Sequence, residues 1–413
     1  MKTTVDVGCN GRQMHCSVLH EYMPRVLLWT DSDVFAGTEK HACELEQGLR
    51  GMGVQVRMAC PHPSPLSVAV SGRGGVVFPL RCKRLRALFA VLRVRRWLLQ
   101  GRVELIHAHN GCTTFLAALA CILARRGTLV ATQHFIHPAR TGRRGLSRWI
   151  SQRLHGWISR RVDRWIAVSE AVRRAMLSRR EVSAARIGVV PNGVSRGGET
   201  LEANRRVVRG LMRCDPGEVV LVCVARLEEE KGHQTLLNAL AILRSEGQRF
   251  SAWMVGAGNL REALERRVQE LGLSDSVFFA GHQADPGPWM DASDVVVLPS
   301  PEEPFGLVLL EAMSRCKPVV AARAGGPCEI VEDQRTGLLF EPMDPRDLAF
   351  KLRSLLERER LRGLMGKAGL ERWRACFTAE RMSASTLEVY REALRGDAIP
   401  APWSTRGEAL SRP

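Results

Sequence analysis

Short apolar runs recur along this chain, each followed by a helix-length segment. Pro24–Trp29, Val54–Met58, Val103–Ala108, Thr128–Thr132, Ile166–Val168 and Ile187–Val190 form one series. Val219–Ala225, Ala252–Val255, Val277–Ala280, Asp294–Leu298 and Pro318–Ala322 form a second. Runs this short read as buried strands, and the segments between them carry helical spacing, as Leu45, Leu49 and Met52 do. Alternation of this kind in both halves predicts an α/β chain of two facing domains with parallel sheets and a cleft between them. A chain of 413 residues is long enough to bury two cores. The expected boundaries are a disordered leader over 1–23, a first domain over 24–195 and a second over 196–378. A closing helix over 379–395 and a frayed tail over 396–413 follow.

Charge is distributed unevenly. The chain carries a net +17, yet residues 1–195 hold 30 Lys and Arg against 11 Asp and Glu, and the remainder is close to neutral. The first half therefore calls for an anionic partner. Two basic blocks stand out. Arg81–Arg102 has eight basic residues and no acid, with Leu85, Leu88, Phe89, Leu92 and Trp97 at helical spacing. The block from 139 to 165 sets Arg143, Arg144, Arg148 and Arg153 beside Trp149 and Trp157, the pattern of an interfacial membrane helix. The longest apolar stretch, Thr113–Ala124, is 12 residues and suits a buried helix. With two tyrosines and no reading helix, the chain lacks the stacking platform of a nucleic-acid binder. Twelve scattered cysteines without a C-x-x-C pair fit reduced thiols in a cytoplasmic protein.

The densest chemistry lies in Pro301–Gly337, PEEPFGLVLLEAMSRCKPVVAARAGGPCEIVEDQRTG. Pro304 keeps Glu303 out of a helix, Phe305-Gly306 opens a helix over Leu307–Ser314, and Glu311 falls inside it. A strand, the pair Gly325-Gly326 and Glu329 follow. Other strand ends deliver candidate groups: Gly37 before the first helix, His107 and His109, His134, the cations Arg226 and Lys231, the turn Gly256-Ala257-Gly258, and His282. Two cations on one loop after a strand are suited to a diphosphate.

Glu-Pro-Phe-Gly, Glu-Ala-Met, Pro-Val-Val-Ala, Gly-Gly, Glu-Ile-Val and Thr-Gly-Leu-Leu, at these spacings, resemble the retaining nucleotide-sugar glycosyltransferases of family 4, which have the GT-B fold. The resemblance implies transfer of a sugar from a nucleotide-diphosphate donor to a glycan or glycolipid acceptor, without a metal or other cofactor. It implies that Glu303 meets the donor-sugar hydroxyls and Glu311 the ribose. Arg226 and Lys231 neutralise the departing diphosphate, aided by the helix that follows Gly306. Gly37 gives the diphosphate room, Gly256 and Gly258 form a phosphate-side turn, and Phe305, Leu307 and the loop at His282 complete the donor site. His134, with His109, faces the acceptor. The closing helix returns to the first domain. The implied setting is lipopolysaccharide or surface-polysaccharide synthesis by a peripheral enzyme on the cytoplasmic face of the inner membrane, where an anionic surface suits the basic first half. Ala36, Ala225 and Cys316 stand where the family commonly has glycine. Two other readings of the same fold are a non-hydrolysing sugar-nucleotide epimerase and a phosphorylase, the latter without a candidate Schiff-base lysine. A glycoside hydrolase would share the paired carboxylates but not the Arg/Lys pair.

Overall fold

The computed structural model describes residues 23–82, 85–136, 156–197, 201–212, 214–215 and 217–396. Residues 1–22 of the expected leader, the tail beyond 396, and Arg143, Arg144, Arg148, Trp149 and Arg153 lie outside these residues. Two all-parallel sheets organise the rest. The first holds β1 (Arg25–Trp29), β2 (Gln55–Cys60), β3 (Val77–Pro79), β4 (Leu105–Ala108), β5 (Thr128–Gln133), β6 (Arg164–Ala167) and β7 (Ile187–Val189), in the order β3-β2-β1-β4-β5-β6-β7. The second holds β8 (Val220–Val224), β9 (Ser251–Val255), β10 (Val277–Gly281), β11 (Val295–Leu298), β12 (Val319–Ala322) and β13 (Gly337–Phe340), in the order β10-β9-β8-β11-β12-β13. Each is an α/β layer with helices on both faces, the arrangement of a GT-B protein.

The strands are apolar throughout because both faces are covered. Leu27, Leu28, Leu105 and Ile106 of β1 and β4 are fully buried, as are Val222, Val296, Val319 and Val320 around β11. In both sheets the order reverses beside the first strand, between β1 and β4 and between β8 and β11, so the crevices that accept ligands open at their carboxyl ends.

The structure adds elements that the apolar runs did not mark. β3 is a three-residue edge strand, and β13 is the Leu-Leu of the Thr-Gly-Leu-Leu string. The helix Leu201–Leu211 lies just past the expected domain boundary at 196. Its Arg205 and Arg209 bind the Asp294 carboxylate at 2.8 and 2.5 Å, so its arginines serve an ion-pair network at the amino end of β11, away from the crevice. β6 begins two residues before its apolar run because Arg164 is itself buried within the strand.

Residues 379–395 form one helix, capped by the Thr378 hydroxyl. It packs on the helix Gly37–Gly51, close enough that a Cβ on Gly48 would stand 2.1 Å from Ser383 Oγ. Met382, Leu387 and Tyr390 join the core of β1 and β2. Trp373 Nε1 donates to the Val194 carbonyl at 3.2 Å, tying the two halves together near the crossing.

Candidate functional site

On the rim of the second sheet, Lys231 Nζ donates to Glu303 Oε2 at 2.8 Å, with only 20% and 12% of the two side chains exposed. Glycines fix both partners. Gly232, at φ 70°, ends the single turn Glu229–Lys231, and a Cβ there would stand 2.2 Å from the Pro299 carbonyl oxygen. A Cβ on Gly325 would meet the Glu303 carbonyl oxygen at 2.2 Å, and one on Gly326 would meet Phe305 Cα at 2.3 Å. The Gly326 N–H donates to the Glu303 carbonyl at 2.9 Å. The Gly-Gly pair is therefore a mould for the carboxylate loop rather than a surface turn. Phe305 is buried against Phe377, and Gly306, at φ 101°, caps the helix Leu307–Ser314. Leu307 and the next amides begin that helix and point their free N–H groups toward the crevice end.

Glu311 is buried on that helix and pairs at 2.8 Å with Lys40. Lys40 belongs to the helix Gly37–Gly51 of the other half, so this ion pair spans the crevice. Gly37 lies opposite: a Cβ there would touch Leu307 Cδ1 at an ordinary 3.5 Å, and its backbone is not left-handed. Nothing in the fold itself demands glycine at 37. At Gly256 and Gly258 the fold does. Cβ atoms there would stand 1.9 Å from the Ala225 oxygen and 2.3 Å from the Leu227 oxygen, so these glycines let the β9 loop press against the Arg226 loop. Arg226 itself is turned to Glu230 at 2.6 Å and is more than half exposed. Of the two cations, only Lys231 meets Glu303. His282 is exposed just after β10.

Two contacts escaped sequence reasoning. Ser169 Oγ donates to the Pro304 carbonyl at 2.7 Å, and the Glu329 carboxylate accepts N–H groups of Glu170 and Ala171 at 2.9 and 3.0 Å. Glu329 thus caps the first-half helix Glu170–Ser178 instead of entering the crevice, and burial holds its carboxyl above the usual range. The signal was a Ser before a helix start in one half and a Glu in the motif of the other. No local spacing joins them.

The rim of the first sheet is made of imidazoles. His109 follows β4, His134 follows β5, and His41 reaches them from the helix Gly37–Gly51; all three are buried. His109 Nδ1 and His134 Nε2 are 3.4 Å apart, and His41 sits edge-on to both rings. His107 lies behind, between Tyr390 Oη and Thr132 Oγ1, each at 2.7 Å. Burial lowers the His41 pKa to about 4, and burial with neighbouring imidazoles holds His107, His109 and His134 well below the usual histidine value. The cluster is neutral at pH 7, able to exchange hydrogen bonds without adding charge. Among the described residues, His41, His109 and His134 are the group closest to a metal-ligand set, with ring nitrogens within 4.8 Å of one another. That spread exceeds the roughly 3.3 Å between nitrogens on one tetrahedral zinc, so as it stands the group is an imidazole cluster. Trp157 is 37% exposed and leans on Phe115.

Models of known families match both halves: "Glycosyltransferase Family 4" over residues 35–196 and "Glycosyl transferases group 1" over 213–372. The phosphatidyl-myo-inositol mannosyltransferase of Mycobacterium leprae (strain TN) is 30% identical over 348 residues, covering 82% of this chain and 88% of the relative. The chain belongs to glycosyltransferase family 4. Another family member, the D-inositol 3-phosphate glycosyltransferase of Paenarthrobacter aurescens (strain TC1), is 34% identical over 221 residues, 52% of this chain. The chain spans about half the length of that relative, 54%. The fold is that of the Anabaena protein HepE, solved with UDP and glucose, at TM-score 0.75 and 23% identity over 89% of this chain and 99% of that one. In family 4 terms, the paired charges and the imidazoles occupy the two walls of one crevice.

Proposed function

We propose that this protein is a retaining glycosyltransferase that moves a sugar from a nucleotide-diphosphate donor to a lipid-linked glycan acceptor. The observation that carries the reading is the Lys231–Glu303 pair, held by glycines at the mouth of β8 and β11 beside the start of the helix Leu307–Ser314. As the glycosidic bond to the diphosphate breaks, negative charge grows on the leaving oxygen. Lys231 and the helix N–H groups would face it, with Arg226 swinging from Glu230 to join them, so no metal is required for that task. Glu303 would then accept from sugar hydroxyls while steadying the electron-poor anomeric carbon. Glu311 would leave Lys40 for the ribose. Neutral His134, with His109 behind it, would orient donor sugar and acceptor on the opposite wall.

The acceptor is read as a glycolipid at the cytoplasmic face of an anionic membrane, in surface-polysaccharide or lipopolysaccharide synthesis. The basic first half supports this, as does a relative whose name specifies a phosphatidylinositol substrate. The test is product analysis by NMR with a panel of nucleotide sugars in EDTA. An α-linked donor should give an α-linked product, and Glu303→Ala should abolish it. An inverted anomer, or turnover unchanged by Glu303→Ala, would overturn the reading.

A further inference from the structure

Two successive peptide oxygens of the carboxylate loop are held from opposite halves of the molecule. The Glu303 carbonyl accepts the Gly326 N–H at 2.9 Å, within the second half. The next carbonyl, that of Pro304, accepts the Ser169 hydroxyl at 2.7 Å, from the first half. Ser169 is fully buried and also caps the helix Glu170–Ser178, its oxygen accepting the Val172 N–H at 3.2 Å. Its single proton therefore goes to Pro304, and a buried donor stripped of its acceptor is costly.

Glu329 reaches the same helix start. Its carboxylate accepts the Glu170 and Ala171 N–H groups at the positive end of the helix. The backbone beneath it is fixed in its own half, where Arg372 Nη2 donates to the Glu329 carbonyl at 2.8 Å and Nε to the Ile330 carbonyl at 2.6 Å. Just before it in the chain stands Gly326, which moulds the loop of Glu303. At the far end of the first-half helix, Arg179 Nη1 donates to the Ile136 carbonyl at 2.6 Å, just past His134. One helix thus meets the Glu303 loop at its start and the His134 segment at its finish. The closing helix and Trp373 already join the halves. The Ser169 and Glu329 bonds differ in landing on the segments that shape Glu303.

We infer that Ser169 and Glu329 are positioning residues that make the placing of Glu303 depend on closure of the two halves. This deepens the proposed reading and rests on it for the part Glu303 plays. With the halves closed, the backbone of Glu303 and Pro304 is held from both sides. When the helix start withdraws, the Pro304 carbonyl loses its partner and the loop keeps only its second-half ties. Closure of this kind completes a reacting constellation, so a bound donor is committed only with the acceptor wall in place. Lys231 and Glu311 lie in the second half, so nucleotide binding does not pass through this clamp. Its effect falls on the chemical step.

The test is steady-state kinetics of the full chain, with hydrogen exchange as a second readout. Ser169→Ala and Glu329→Ala should each lower kcat about ten- to hundredfold, the cost of slightly misplacing a reacting group. Donor KM and nucleotide-induced thermal stabilisation should stay within about twofold of wild type, which shows that the variants fold and bind. Ser169→Thr keeps the hydroxyl and should restore most of the rate. Glu329→Gln keeps one acceptor oxygen and should fall between. In Glu329→Ala, amide exchange should quicken at residues 170 and 171 and also at residues 303–306, which a purely local helix cap would leave unmoved. A kcat within about twofold of wild type in both alanine variants would overturn the inference. So would a fall in kcat matched by an equal loss of nucleotide binding, or exchange that quickens at 170 and 171 alone. A wild type that transfers no sugar from any donor would remove the proposed reaction and this inference with it. An active wild type beside unimpaired variants would remove the clamp alone.

Discussion

The two walls of the crevice are built on opposite principles. On the second-sheet wall Lys231 pairs with Glu303 on loops shaped by glycines that no side chain could replace, and Glu311 of the helix Leu307–Ser314 pairs across the crevice with Lys40 of the first half. The first-sheet wall carries four buried, uncharged imidazoles, His107, His109 and His134 at strand ends and His41 on the helix Gly37–Gly51 beside Lys40. Under the proposed reaction, the wall that faces the leaving diphosphate would keep charge ready, held by internal partners until the ligand arrives. The wall that faces neutral hydroxyls would work through uncharged imidazoles. The difference suggests that substitutions on the donor wall change rate and affinity, whereas those on the acceptor wall act first through protonation and packing.

The sharpest break of this contrast is the removal of Lys231. Lys231→Ala should lower kcat by about 10²–10³-fold, the usual cost of losing one group that faces developing charge. A steady-state rate within a few-fold of wild type would mean the donor wall does not stabilise the departing diphosphate. Next comes the glycine mould. Gly326→Ala places a Cβ 2.3 Å from Phe305 Cα and should cost roughly 3 kcal/mol in urea unfolding, with loss of nucleotide binding. An unaltered midpoint would show that the loop is not confined.

The acceptor wall should answer to pH. In the unfolded chain His41 titrates near its ordinary 6.5, and in the fold near 4, so the unfolded state binds the extra proton between those values. Its contribution is complete above 6.5 and is lost as pH falls toward 4, up to roughly 3 kcal/mol. His41→Gln should flatten the fall of Tm across that window, and an unchanged slope would remove the buried neutral state of His41.

Smaller effects test the pairing. Lys40→Met frees Glu311 from its ion pair and should tighten nucleotide binding by about fivefold by calorimetry, the scale of one partly buried pair. Weaker binding would make Lys40 a ligand contact instead. Gly37→Ala should leave stability within about 1 kcal/mol or raise it, since the added methyl only touches Leu307. If the diphosphate passes there, affinity still falls; if affinity holds, that position is free of the donor.

The legibility of the two walls differed in the same way. Glu303, Gly306 and Glu311 were read from one continuous string because their spacing is local, set by a loop and a helix turn. The parallel sheets were legible from apolar runs because strands covered on both faces admit little else. His41 was not read as a member of the cluster, since it meets His109 and His134 only after β4, β5 and the first helix are assembled. The Ser169–Pro304 contact and the Glu329 cap join segments more than 130 residues apart, and no period in the chain records them. Arg226 shows the converse. A motif placed it beside Lys231, and only the fold shows it turned toward Glu230.

The measurement closest to the central claim is thermal shift of the full chain against UDP, GDP, ADP, dTDP and CMP, in the presence and absence of EDTA. A ligand that binds only the folded state raises Tm by mass action. One nucleoside diphosphate should raise it equally with and without EDTA, and Glu311→Ala should erase the rise. No response to any nucleotide, or a response that needs a divalent metal, would contradict a donor wall that works through its own paired charges.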